Sequence, residues 1–337
     1  MPYGDIRNRA TTQFLPNSSG SGRVLNIPLN DFILDGFLLL KGTVTLAGGT
    51  TSGTAIGDGG PGNLIKRIKL NANPALYSIY PGGELVNCTP RALLRNDAFA
   101  SLGKYFGELS GSVLGSGAAA AYTIYMPIPI NFADTNLRQQ VQTALNANGY
   151  AYESLQLQIE TGDITSCFAG NDRTATYDLS LEWIDRRVDM TPSPNPVVLY
   201  QEDHVVQIPA ANDRLTDGGL PKYGNLLSLL LMTETSSAQT LSDTILNKVS
   251  IASPDYRYEQ KAKDIRYRMI KDGWAAPDSA ESKAGLYLID FTEGVIQRSL
   301  AVKGMAIEYD VNNPGGANLD GLHIYSRQAV QIVTKAA

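Results

Sequence analysis

Three prolines at alternate positions, Pro192, Pro194 and Pro196 in MTPSPNPVV, set the first limit on what this chain can fold into. A proline has no amide hydrogen for a sheet ladder, so this segment is excluded from a sheet interior and favours a stiff, extended connector. Strand-length runs stand on both sides of it. Before it come 36–46, 64–70, 75–80, 122–130, 155–160 and 176–183; after it come 205–208, 226–232, 245–251, 286–290, 305–309 and 322–325. In TYDLSLEW (176–183) alternation puts Tyr177, Leu179, Leu181 and Trp183 on one face, as a half-buried strand requires. The connector therefore divides two bodies built mostly of strands, and 337 residues suffice for two ordinary domains.

The two halves also match in order. GNLIKRIKL at Gly62 faces GNLLSLLLM at Gly224, 162 residues on. TPRALL with Pro90 faces SPDYRY with Pro254, and AAYTIYMPI at Ala120 faces KAGLYLIDF at Ala284, both 164 on. Arg186 of WIDRR faces Arg327 of YSR, 141 on. A steady spacing that then shortens points to a duplication with a trimmed loop. Short helices are expected over 90–101, behind the N-cap Thr89 with Pro90 in first position, over 134–146, and over 254–271. The Gly-rich segments 48–62 and 110–120 read as exposed loops. The expected organisation is a flexible arm over 1–22, a first sandwich over 23–190, a Pro-rich linker over 191–196 and a second sandwich over 197–337.

Charge and cysteine content narrow the function. Net charge is -5, with 28 basic against 33 acidic residues, which supplies no basic field for nucleic acid. Two cysteines, Cys88 and Cys167, exclude a disulfide-dense scaffold and are expected as buried free thiols. MPYGDIRNRATTQF has no apolar core of a signal peptide, so synthesis in a cytosol is expected. The apolar stretch 226–232 is far short of the roughly 20 residues a membrane helix needs.

Chemical motifs are sparse. His204 and His323 both fall after the linker, 119 residues apart and without metal-ligand spacing, and no nucleophile elbow, P-loop, H-E-x-x-H or C-x-x-C occurs. Glu160, Asp163, Glu308 and Asp310 lie on or just after strand-like runs and could form an acid/base pair. Alternation instead makes Glu308 and Asp310 a solvated strand face. Asp58, Asp213 and Asp217 offer oxygen ligands for structural calcium, but no five-ligand loop is present and Asx turns explain them as well. No catalytic, cofactor or metal residue is therefore expected, and calcium stays open with no ligands named. Over 254–271, Arg257, Lys261, Lys263, Arg266, Arg268 and Lys271 alternate with Tyr256, Tyr258 and Tyr267, a pattern that suits single strands. Asp255, Glu259 and Asp264 thin that charge, so tyrosine packing is the expected role.

The ordered segments IKRIKLNANPALYSIYPGGELVNCTPRALLRND (65–97), LPKYGNLLSLLLM (220–232) and IEYDVNN…LDGLHIYSR (307–327) carry a resemblance. From about residue 23 onward the chain resembles double jelly-roll major capsid proteins of tailless, membrane-containing icosahedral viruses, the corticovirus-type coat protein among them. It departs from them in the Gly-rich insertions near 48–62 and 110–120. The resemblance implies an all-β fold of two tandem eight-stranded jelly rolls with short helices in the connections. It implies a non-enzymatic bacteriophage structural protein, a homotrimer whose pseudo-hexagonal capsomers tile an icosahedral shell around an internal membrane. Its partners would be copies of itself, penton or minor capsid proteins and membrane lipids, and its place the virion after synthesis in the host cytoplasm. Two other readings stay open: a secreted glycan-active double jelly-roll amidase, and a phage spike or fibre protein. In the arm, Arg7, Arg9 and Arg23 outnumber Asp5, and with Phe14 they are expected to touch neighbouring subunits or the anionic membrane face.

Overall fold

A computed structural model of the chain describes residues 5–14, 16, 23–47, 53–55, 60–97, 113–114, 120–132, 143–169, 174–191, 196–209, 211–217, 223–235, 240–253, 256–271, 285–292, 300–301, 305–313 and 320–332. The chain divides into two compact units. One comprises Met1–Asp97, Leu102–Leu199 and Gln331–Ala337; the other comprises Ala98–Ser101 and Tyr200–Val330.

The first unit has eight principal strands: β1 (Asp5–Phe14), β2 (Arg23–Ile27), β3 (Phe32–Ala47), β4 (Ile65–Pro74), β5 (Gly83–Cys88), β6 (Ala120–Asn131), β7 (Tyr152–Thr161) and β8 (Thr174–Val188). They form two antiparallel sheets, one ordered β1-β8-β3-β6 and the other β5-β4-β7-β2. Each step from an odd strand to the next even one changes sheet, and outer pairs enclose inner ones. That nesting defines an eight-stranded jelly roll.

The second roll repeats this order with β9 (Val197–Ile208), β10 (Asn212–Thr216), β11 (Asn225–Thr235), β12 (Leu246–Ser253), β13 (Tyr256–Lys261), β14 (Leu286–Asp290), β15 (Ala306–Val311) and β16 (Asp320–Gln331). Its sheets run β9-β16-β11-β14 and β10-β15-β12-β13. Each strand of the first roll thus has a counterpart eight places on. The spacing falls from 192 residues at the first strand (5 to 197) through 181 at the fourth (65 to 246) to 146 at the eighth (174 to 320), because the first roll has the longer connections.

The duplication stands, but two of its expected matches are one strand out of step. GNLIKRIKL leads into β4, a fourth strand, whereas GNLLSLLLM is β11, a third strand; the counterpart of β4 is β12, LNKVSIAS. SPDYRY likewise contributes strand β13, not a helix start. An apolar run behind a turn marks a strand without saying which strand it is.

The flexible arm is also corrected. Residues 5–14 are β1, paired along β8 from Asp5↔Arg187 to Phe14↔Leu179, and Phe14 is fully buried. DIRNRATTQF is polar because most of β1 is an exposed sheet edge, so its strand character lies in Thr11, Thr12 and Phe14 rather than in hydrophobicity. The opposite edge, β6, carries Pro127 and Pro129 two residues apart, so both missing amide hydrogens fall on the same side. A sheet tolerates that at an edge, where it also discourages further strand addition.

Inside the first roll, Leu179, Leu181 and Trp183 of β8 are buried as alternation requires. Trp183 lies over Gly36 of β3, where an added Cβ would come within 2.5 Å of the indole. Tyr177 is only half-buried, and its hydroxyl accepts the amide of Ile164 at 3.0 Å. In the second roll, Leu226–Glu234 of β11 are buried without alternation, which fits the continuous apolar run.

The helices are short. In α1 (Pro90–Asp97), Thr89 caps the N-terminus through its Oγ1, which accepts the amide of Ala92 at 3.2 Å. The four-residue α2 spans Ile164–Cys167, and α3 spans Ala262–Lys271. The helix expected over 254–271 is therefore half strand, because Tyr-Arg-Tyr alternates before the i, i+3, i+7 set Ala262, Ile265, Met269 begins. The helix expected over 134–146 lies mostly outside the described residues, and 145–146 pairs with β3 as strand. The Gly-rich segments are not plain loops where they are described: 53–55 pairs with 113–114 and with 168–169 in a small three-stranded sheet. Cys88 and Cys167 are both buried, and neither is in a disulfide.

Candidate assembly surface

Of the residues expected at the assembly contact, Arg9 is held by a buried carboxylate. Asp185 of β8 has no exposed side-chain surface and accepts hydrogen bonds from Arg9 Nε at 2.9 Å, Trp183 Nε1 at 2.8 Å and Arg187 Nη2 at 2.7 Å. Arg187 Nη1 also donates to the carbonyls of Pro28 and Asn30, both at 2.7 Å, so the network joins β1, β8 and the β2–β3 connection. Arg9 is therefore turned mostly inward, with its side chain 14% exposed, and Phe14 is fully buried. Arg23 opens β2 with its Nε buried, without a hydrogen-bond partner among the described residues. Arg7 alone of the four is well exposed, in an ion pair of 2.7 Å with Asp5. Strand β1 shows most of its charged residues at an edge while sending Arg9 and Phe14 inward.

The larger exposed apolar surface lies elsewhere. Residues 75–80, expected as a strand, form the tip of the β4–β5 connection. Leu76 is 87% exposed, Tyr77 93% and Ile79 54%, and Tyr150 of the β6–β7 connection is 54% exposed. Register puts both connections at one end of the roll, since Tyr152 pairs with Pro74. Together they line a groove of about 420 Å³ formed by 75–80 and Tyr150, with no charged residue. Tyr80 is buried at the groove's base, its ring 6.1 Å from that of Tyr152, and burial raises its hydroxyl pKa. The hydroxyl of Tyr150 is fixed by Asn146 Nδ2 at 3.0 Å. The sequence signal for a loop was present: Pro74 and Pro81-Gly82-Gly83 bracket ALYSIY. A second open hollow, about 690 Å³, crosses β1, β8, β3 and β6 beside Lys41, Tyr125 and Asp178.

The acid/base candidates are engaged separately. Glu160 pairs with Lys69 at 3.1 Å. Burial raises the Asp163 pKa, but hydrogen bonds from Thr165 and Ser166 outweigh it and hold the carboxyl below its ordinary range, the wrong direction for a general acid. Asp310 accepts Asn247 Nδ2 at 3.0 Å, and Glu308 shares its strand, β15. Glu160 and Asp163 belong to the first unit, Glu308 and Asp310 to the second.

Of the calcium candidates, Asp58 and the side chain of Asp213 lie outside the described residues, while Asp217 is bound to His204 Nε2 at 2.8 Å. Among the described residues no three His, Cys, Asp or Glu side chains cluster as a metal site. In the basic segment, Tyr258 packs edge-on to Phe291 at 5.8 Å, whereas Tyr267 is 71% exposed. Arg266 pairs with Asp243, and Lys248 and Arg257 both pair with Glu259.

Tyr309 of β15 is wholly buried, with its hydroxyl unpartnered among the described residues; burial, and then the Asp217 carboxylate, push its pKa well up. Tyr309→Phe is therefore expected to leave thermal stability unchanged or raise it by about 1 kcal/mol, because it removes an unpaired buried hydroxyl. A melting curve showing a loss above about 1 kcal/mol would mean that the hydroxyl has a partner.

No protein-family model and no curated protein sequence matches the chain. Solved structures do. The major capsid protein of STIV is 13% identical, with 97% of each chain covered and a TM-score of 0.66. A chain in the atomic structure of Sulfolobus Turreted Icosahedral Virus is also 13% identical, covering 97% of this chain and 91% of that one, at a TM-score of 0.66. The major capsid protein P2 from bacteriophage PM2 is 13% identical, with 95% and 97% covered and a TM-score of 0.54. With its two rolls in the same strand order, the chain has the double jelly-roll fold that these capsid proteins share.

Proposed function

We propose that this chain is a major capsid protein: a homotrimer whose pseudo-hexagonal capsomers tile an icosahedral shell enclosing a lipid bilayer. The observation that carries the reading is the repetition of one eight-stranded roll, strand for strand, within a single chain. Three such chains supply six similar modules, so a threefold assembly fits sixfold surroundings. Structural neighbours named as major capsid proteins align over nearly their whole length, which supports the same reading. An amidase role has less behind it, because the four carboxylates considered for it fall as two pairs in different units. Penton or minor capsid proteins would complete the shell.

Light scattering on the purified chain tests the proposal. It is expected to return about 109 kDa, three times the 36.3 kDa chain. A mass that stays at that of one chain at high concentration would refute the trimer.

A further inference from the structure

We propose that the end of the first roll formed by the β4–β5 and β6–β7 connections is a lipid-contacting surface, with Leu76 and Tyr77 entering the interface of an electrically neutral bilayer. This rests on the capsid reading and names the surface that meets the lipid.

The backbone of the tip comes first. The amide of Ser78 donates to the carbonyl of Ala75 at 2.9 Å, closing a four-residue turn with Leu76 and Tyr77 at its two central positions. Those positions ordinarily hold Pro, Gly, Asn, Asp or Ser, residues that suit the turn and water alike. Here they hold a large aliphatic and a large aromatic side chain, among the most exposed apolar side chains described. The local fold does not require them, since neither packs on the roll.

The turn is also prepared for an apolar phase. The amide of Ala75 donates to Ala151 at 3.3 Å, and the amide of Tyr80 to Ser78 Oγ at 3.1 Å. Three of the loop's amides are thus satisfied internally or by the neighbouring connection, which lowers the cost of taking the tip out of water. Tyr77 and Tyr150 share the groove with Leu76 and Ile79 and bring amphipathic rings, a composition suited to the boundary between headgroups and chains.

Charge selects the kind of surface. No Lys or Arg lines the groove, and the charged residues that follow the two connections in sequence are Glu84 and Glu153, both exposed. An anionic surface would be repelled by them. A symmetric contact with a second copy would bring those carboxylates near their own counterparts. A neutral bilayer meets neither penalty. A single tip binds weakly, but three tips per capsomer act together.

The test is flotation of the purified full chain with vesicles of phosphatidylcholine alone, and with vesicles that also contain phosphatidylglycerol, at low and high salt. The expected result is binding to the neutral vesicles that salt does not weaken, reduced by roughly tenfold or more in the double variant Leu76→Ser, Tyr77→Ser. The melting temperature of that variant should match wild type, since both side chains are exposed. Tyr77→Trp gives an independent readout, an indole emission that shifts to the blue when neutral vesicles are added. Binding confined to anionic vesicles, or unchanged in the double variant, overturns the inference. So does a double variant that loses its oligomeric mass without lipid, which would make the patch a contact between copies. A wild-type trimer that ignores the vesicles overturns the inference and leaves the capsid reading intact; a monomer that binds them does the reverse.

Discussion

Asp185→Ala is expected to lower stability by about 3–5 kcal/mol, read as a drop in the urea midpoint at unchanged slope. The carboxylate is the shared acceptor for Arg9, Arg187 and the Trp183 indole, and it has no exposed side-chain surface. Removing it leaves Arg187, itself almost wholly buried, with its charge uncompensated, although the Pro28 and Asn30 carbonyls still hold its other nitrogen. Breaking one side of a buried pair costs far more than the pair contributes, because the remaining charge stays out of water. Arg9→Ala should cost less, since Arg9 keeps some exposure and Asp185 retains two donors. Equal losses in the two variants would mean that Asp185 does not anchor the network.

Gly42→Ala should be comparably damaging for a different reason. Gly42 sits in the middle of β3 between β8 and β6, at φ 136°, where L side chains are rarely found. A Cβ there would come within 2.1 Å of the Asp178 carbonyl oxygen, a backbone atom that cannot rotate aside. Strain alone costs about 1–3 kcal/mol, and displacing the paired strand adds to it, so the expected loss is about 3 kcal/mol or more. Gly83→Ala separates the two effects: its φ is 119°, but nothing lies within 4 Å of the added atom. It should lose only the strain. Similar midpoints for the two variants would refute the clash.

What the sequence reveals here follows from where water lies. The alternation of β8 and the apolar run of β11 were legible because burial on one face or on both writes itself into residue choice. The cap at Thr89 was legible because an N-terminus needs a side-chain acceptor. The strand β1 was hidden by its polar edge, and the inward turn of Arg9 onto Asp185 could not be read, since two charges 176 residues apart carry no local pattern. The apolar tip at Leu76 and Tyr77 reads as a strand from hydrophobicity alone, yet both side chains are exposed. Its flanking prolines and glycines were the better guide. At low identity the apolar runs of the third and fourth strands look alike, so the halves align one strand out of step by sequence, and the paired sheet orders remove that ambiguity.

Electron microscopy of the purified oligomer tests the central claim most directly. Averaged images should show a threefold particle with six lobes, one for each jelly roll of three chains. Isolated two-lobed particles, or an elongated fibre, would contradict it.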